Sequence, residues 1–187
     1  QPNPPGSTQP ADKTDISKSA QVTLSQSVYT YSGGKKTPSV TVMLGAKKLS
    51  KDSDYTLAYQ NNTNVGLASV VVTGKGNYTG TITSTFVINP KGTSISGKVK
   101  AQRRGFLVKW KKQTKNMAGY QVQYSTSRKF TKKATVTKSV KKSAVKLNVK
   151  RLKANKKYYV RVRVYHKVKG SKYYSGWSKV KSVKTKK

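Results

Sequence analysis

The sequence predicts an all-β chain: two β-sandwich domains in tandem after a disordered, Pro-rich tether. Three observations carry that prediction. Tyrosine occurs 12 times among many Thr, Val and Ser residues, the types that suit pleated, half-buried surfaces. Short stretches alternate apolar and polar residues with period two, and no segment sustains a helical period. Asn, Gly and Pro clusters separate these stretches, as strand reversals require.

The tether comes first. "QPNPPGSTQPADKTD" has the Pro, Gly, Ser and Gln of a linker and little apolar matter, so residues 1–18 are expected to stay extended, without helix or strand. With no starting Met and no leader, Gln1 is expected to begin partway along a longer chain. Residues 19–90 then read as strand, turn, strand. Val40, Val42 and Leu44 alternate with polar neighbours, and "TITSTFVIN" sets Ile82, Ser84, Phe86 and Ile88 on one side before Pro90 ends it. Residues 91–187 repeat the pattern. Phe106, Val108 and Trp110 share a face, as do Tyr120, Val122 and Tyr124, then Val145, Leu147 and Val149, then Tyr158, Val160, Val162 and Val164. About seven short strands in such a length fit two packed antiparallel sheets.

Charge divides the chain more sharply than pattern does. Of the 40 Lys and Arg, eight lie in residues 1–90 together with all four acids, Asp12, Asp15, Asp52 and Asp54; the other 32 lie in residues 91–187 with no acid at all. Solubility needs far less, since a net magnitude of about 2–8 suffices for a small domain. Uncompensated cations repel one another across a folded surface, so the natural counter-charge is external. Lys outnumbers Arg heavily, which suits diffuse contact with a flexible polyanion.

Chemistry is scarce. Cysteine is absent, which removes disulfides, thiolate metal sites and a thiol nucleophile. His166 has no acid in its half and reads as a strand-end residue entering a loop, so no Ser/His/Asp set or working carboxylate pair is available. Asp52 and Asp54 beside Lys51 offer too few oxygens for calcium and read as a turn. "GKGNYTG" lacks phosphate-loop spacing and precedes a strand. Asn61 and Asn77 stand in Asn-x-Thr sequons, relevant only in a glycosylating secretory pathway. The expectation is a non-enzyme with no catalytic residue, cofactor or metal. No apolar run is long enough for membrane insertion by a helix.

Two resemblances sharpen the fold. "LSKDSDYTLAYQNNTNVGLASVVVTGKGNYTGTITSTFVI" resembles a repeat module of large Gram-positive surface proteins, matching at Asp54, Tyr55, Asn61, Asn62, Gly66, Gly74, Gly76, Asn77, Tyr78 and Gly80. It implies a bacterial immunoglobulin-like spacer without catalytic residues. Residues 91–187 resemble a fibronectin type III domain through Trp110 in the second strand, Leu152 and the corner Tyr158 in "LKANKKYYVRV", and "SGWSKVKSVKT" as last strand. Together they imply two tandem immunoglobulin-like β-sandwich domains, a fold that hosts many unrelated functions.

One face of the second domain stands out. With Tyr158, Val160, Val162 and Val164 inward, Tyr159, Arg161, Arg163 and Tyr165 must point outward. The third strand contributes Gln121 and Gln123, and the last strand is expected to add Trp177, Lys179 and Lys181. Stacked Arg–Trp ladders near a Trp-Ser pair are familiar in related folds, so the face reads either as a self-supporting cation–π ladder or as a dock for a polymer. The expected function is a monomeric, extracellular, cell-surface module: a spacer plus a basic domain attached to an anionic cell-wall polymer such as teichoic acid. With no sortase signal or anchor after "SVKTKK", retention by charge is the simplest attachment. The alternative is recognition of an extracellular or dietary glycan or a host protein, or service as accessory domains of a secreted carbohydrate-active enzyme. Non-specific nucleic-acid binding in vitro is expected from charge alone, without any recognition helix, RNP motif or zinc site.

Overall fold

The computed structural model describes residues 12–187, and among these it is all-β, with sandwich-like sheets and no α-helix. Two compact units divide the chain: one built on the residues up to Ser27, Lys35–Asn62 and Leu67–Phe86, the other on Val28–Gly34, Thr63–Gly66 and Val87–Lys187. The division falls inside a strand, where Val87–Asn89 pair with Val28–Thr30.

The first strands are β1 (Thr14–Asp15), β2 (Ala20–Leu24), β3 (Val28–Thr30), β4 (Val40–Leu44), β5 (Lys47–Lys48), β6 (Tyr55–Gln60), β7 (Gly66–Gly74), β8 (Tyr78–Thr79) and β9 (Thr81–Asn89). They form a β2-β4-β5 sheet, a β3-β9-β7-β6 sheet and a β1-β8 pair. Val42 from one sheet and Tyr55 and Val72 from the other share a core with Ile16, Leu49 and Tyr78. The alternation read in β4 and β9 holds, with Val42, Phe86 and Ile88 buried.

The tether expectation fails over its last residues. Its Pro-rich part, residues 1–11, lies outside the described residues. Thr14 and Asp15, however, pair in parallel with Tyr78 and Thr79, and a 3₁₀ turn, Ile16–Lys18, follows. Ile16 is completely buried. One isoleucine anchors a stretch whose average composition is that of a linker. Asp15 caps the turn by accepting from Ser17 N and Ser17 Oγ, which holds its carboxyl below the usual range. Asp54 likewise closes its turn, accepting from Ser50 N at 2.8 Å, while Asp52 occupies the left-handed region at φ 69°.

The second unit carries β10 (Lys100–Gln102), β11 (Gly105–Lys109), β12 (Gly119–Ser125), β13 (Thr135–Lys141), β14 (Lys146–Val149), β15 (Lys157–Val168), β16 (Ser171–Tyr174) and β17 (Lys181–Lys184). One sheet runs β10-β11-β14; the other runs β13-β12-β15-β16, with β17 also on β15. Phe106, Val108 and Val149 of the first meet Tyr120, Val122, Tyr124, Val160, Val162 and Val164 of the second in one core. Trp110 joins it at 3% exposure, its ring centroid 5.3 Å from that of Tyr120. Leu152 packs on the core margin, and Tyr158 lies inside it.

Two placements differ from the sequence pattern. Val145 is exposed, not inward with Leu147 and Val149, because β14 starts at Lys146 and Val145 instead lends its carbonyl to Trp110 N at 3.0 Å. His166 is not at a strand end: β15 continues to Val168, and His166 faces Tyr173 across a hairpin. Its Nδ1 is buried without a partner, and burial lowers its pKa.

Candidate functional site

The pleat of β15 sets the site. Val160, Val162 and Val164 are buried, so Tyr159, Arg161, Arg163 and Tyr165 emerge on the opposite face. Register then brings their neighbours alongside: Gln121 opposite Arg163, Gln123 opposite Arg161, Gly119 opposite Tyr165. β13 adds Thr137 opposite Gln123 and Ser139 opposite Gln121.

The guanidiniums are held by neutral acceptors. Arg161 Nε and Nη2 donate to Gln123 Oε1 at 2.9 and 2.7 Å, and Arg163 Nε and Nη2 donate to Gln121 Oε1 at 3.0 and 2.7 Å. Gln123 Nε2 passes on a bond to Thr137 Oγ1 at 3.0 Å. Aromatic rings complete the row. Trp177 lies 4.5 Å from the Arg161 guanidinium and 4.4 Å from that of Arg163. Phe130 covers Arg161 at 4.0 Å, and Tyr174 covers Arg163 at 3.8 Å. Tyr174 leans on Tyr165, over which Lys172 sits, and Lys157 lies over Tyr159. Burial lowers the pKa of both arginines, and for Arg163 the like charge of Arg161 adds to the effect. The face is a cation–π ladder with no carboxylate in it.

Trp177 reaches the ladder by an unexpected route. A regular last strand would alternate Trp177, Lys179 and Lys181 outward. Instead the chain from Ser175 to Ser178 follows the edge of β15 through serine hydroxyls. Val164 N donates to Ser175 Oγ at 2.9 Å and Val162 N to Ser178 Oγ at 3.1 Å, while Ser175 N and Ser178 N donate back to the carbonyls of Val164 and Val162. The two serines are three residues apart, so the parity of the pattern changes there. Lys179 lies exposed in the connection. Lys181 starts β17 opposite Val160 and is exposed, while Ser182 lies opposite Tyr159; Lys181, Ser182 and Tyr159 border the same shallow depression.

Phe130, Tyr174 and the two serines escape sequence reading. Phe130 sits in a loop at φ 53°, where no periodicity reports it. The Ser-Gly-Trp-Ser spacing is the one available signal for the edge.

Gly119 is required by the ladder. A Cβ there would meet the Tyr165 ring at 2.8 Å and press on the Val140 carbonyl oxygen. Gly119→Ala is expected to cost about 1–3 kcal/mol in chemical denaturation through this overpacking, with Tyr165 displaced. An unchanged midpoint would show that the close approach is absent.

The second unit is thus a two-sheet β-sandwich module whose larger sheet exposes a stacked Arg–aromatic row. Residues 89–181 match the family model for the fibronectin type III domain, and that segment is a fibronectin type III domain. No curated protein matches the chain. Among solved structures, chicken CNTN1 FN1–FN3 domains are 16% identical with a TM-score of 0.43, covering 88% of this chain and 64% of that one. A redesigned β-sandwich protein is 16% identical with a TM-score of 0.38, covering 51% and 90%. A β-1,2-glucanase from Parabacteroides distasonis is 16% identical with a TM-score of 0.39, covering 64% of this chain and 18% of that chain.

Proposed function

We propose that residues 91–187 form a non-catalytic attachment module that holds its protein to an extracellular anionic polymer. The phosphate-rich teichoic acid of a Gram-positive wall fits best, and residues 19–90 act as spacer. One observation carries this reading: the second unit holds 32 Lys and Arg in residues 91–187 and no acidic side chain of its own to face them. Even the buried-edge arginines rest on glutamine oxygens, not on carboxylates. The charge thus stays available to a partner. Attachment belongs to the exposed lysines around the ladder more than to the stacked guanidiniums, whose faces and donors are already occupied. Glycan recognition is less well supported for the same reason, since the Gln121 and Gln123 oxygens and Trp177 are engaged within the protein.

The test is binding to purified teichoic acid across a salt series. Affinity is expected to fall steeply between about 50 and 200 mM salt through counterion release. A flat response, or no binding to any polyanion in dilute buffer, would rule the reading out.

A further inference from the structure

The turns beside the C-terminal residues of the second unit hold another feature. Arg103 and Arg104 are the two-residue turn between β10 and β11, with Gln102 facing Gly105. Arg151 follows β14. Together these three residues border a wide, shallow depression of about 510 Å³. Residues 91–187 contain six arginines, so half of them meet here while lysine serves the rest of the surface.

The backbone is arranged to bring them together. Arg104 and Arg151 have φ of 45° and 61°, a region that side-chain-bearing residues rarely adopt. Such conformations persist only where the surroundings impose them, and they cluster at functional sites. Here Leu152 N donates to Arg104 O at 2.8 Å, Arg104 N to Lys186 O at 3.0 Å and Lys186 N to Gln102 O at 2.9 Å, so the two turns and the residues after β17 are laced together. Gly105 lets the turn press against the Val149 backbone, where any Cβ would collide with the carbonyl oxygen. Arg104 Nε makes only a long bond to Leu152 O at 3.4 Å. Among the described residues, no acceptor is bonded to the side chain of Arg103 or Arg151. Each guanidinium offers five N–H donors. Three planar forks around one open space, without a carboxylate to balance them, complement an anion with several oxygens in different directions.

We infer that Arg103, Arg104 and Arg151 form a discrete oxyanion subsite that takes one phosphate group of the polymer; for the polymer's identity this rests on the attachment reading above. A phosphodiester of the chain presents two free oxygens, each able to accept from more than one N–H, so the three forks can share one phosphate group. Lysines elsewhere supply diffuse attraction, and this depression supplies the oriented contact.

The experiment keeps charge constant. In the full chain, the triple variant R103K/R104K/R151K retains three cations but loses the forks. Its affinity for a poly(glycerol phosphate) chain is expected to fall about tenfold, its thermal midpoint staying close to that of the unaltered protein. In parallel, inorganic phosphate titrated into the unaltered chain should shift the Nε–H NMR signals of Arg103, Arg104 and Arg151 and leave those of Arg161 and Arg163 in place. Equal affinity of the triple variant would overturn the subsite while leaving diffuse attachment intact. Loss confined to heparin, used as a sulfated control, would overturn the assignment to phosphate. Failure of the unaltered chain to bind poly(glycerol phosphate) would sink the attachment reading, and the phosphate titration would then decide the subsite alone.

Discussion

Replacing Trp110 with Ala is expected to remove about 3–5 kcal/mol from the stability of the second unit, enough to unfold much of it at 37 °C. The indole is 3% exposed and packs on Tyr120 within a core where Tyr124 also meets Phe106 and Tyr158 edge to face. Natural domains hold only about 5–15 kcal/mol in all. This one also bears the mutual repulsion of its cations, so its reserve is smaller than its packing suggests. Trp110→Phe separates size from polarity. Trp110 Nε1 is buried without a hydrogen-bond partner, so the smaller ring deletes an unsatisfied donor as well as some volume. Its loss should be well under half that of the alanine variant. Urea denaturation followed by circular dichroism decides both, and added salt should raise every midpoint by screening the cations. If Ala at this position leaves the urea midpoint unmoved, the core is not where the indole places it.

How much of this was legible beforehand follows from which signals are local. Period-two alternation in β11, β12 and β15 is a strong local signal, and it located Phe106, Val108, Tyr120, Val122, Tyr124 and the valines of β15 in the core without help. It also put Gln121, Gln123, Arg161 and Arg163 on one face. It failed wherever one residue outweighs its neighbours. Ile16 is a lone apolar side chain in polar sequence, and only the pocket that receives it distinguishes it from a tether residue. The route of the chain between Trp177 and β17 is equally hidden, because Ser175 and Ser178 replace a stretch of strand with side-chain hydrogen bonds that no alternation reports. Arg104 and Arg151 were invisible as a pair: they are distant in sequence, and arginine is not a residue type that announces a positive φ. Turn chemistry is written in Gly and Asn, so turns built on Arg pass unread.

The double replacement Arg161→Ala with Arg163→Ala is expected to destabilise the domain even though it removes two positive charges from a surface with too many. Four guanidinium–ring contacts disappear, with Phe130, Trp177 and Tyr174, each worth about 0.5–1 kcal/mol, which places the loss at roughly 2–4 kcal/mol. The oxygens of Gln121 and Gln123 also lose their donors. Against this stands relief of repulsion, which acts whichever cations are removed. A matched pair isolates that relief: Lys138 and Lys146 are exposed, so changing both to Ala subtracts the same charge without touching the ladder. That variant should match or exceed the parent in urea, and the gap between the two double variants measures the ladder itself. Binding should rank differently. Both pairs remove two cations of 32, and with the stacked guanidiniums already occupied the arginine pair should weaken polyanion attachment modestly and no more than the lysine pair does, when compared at a temperature where each is folded. The ladder then counts as scaffold, keeping Trp177 and the β15 edge rigid while the surrounding lysines make contact. If the arginine pair proves as harmless to folding as the lysine pair but abolishes attachment, the roles are reversed, and the stacked face is itself the dock.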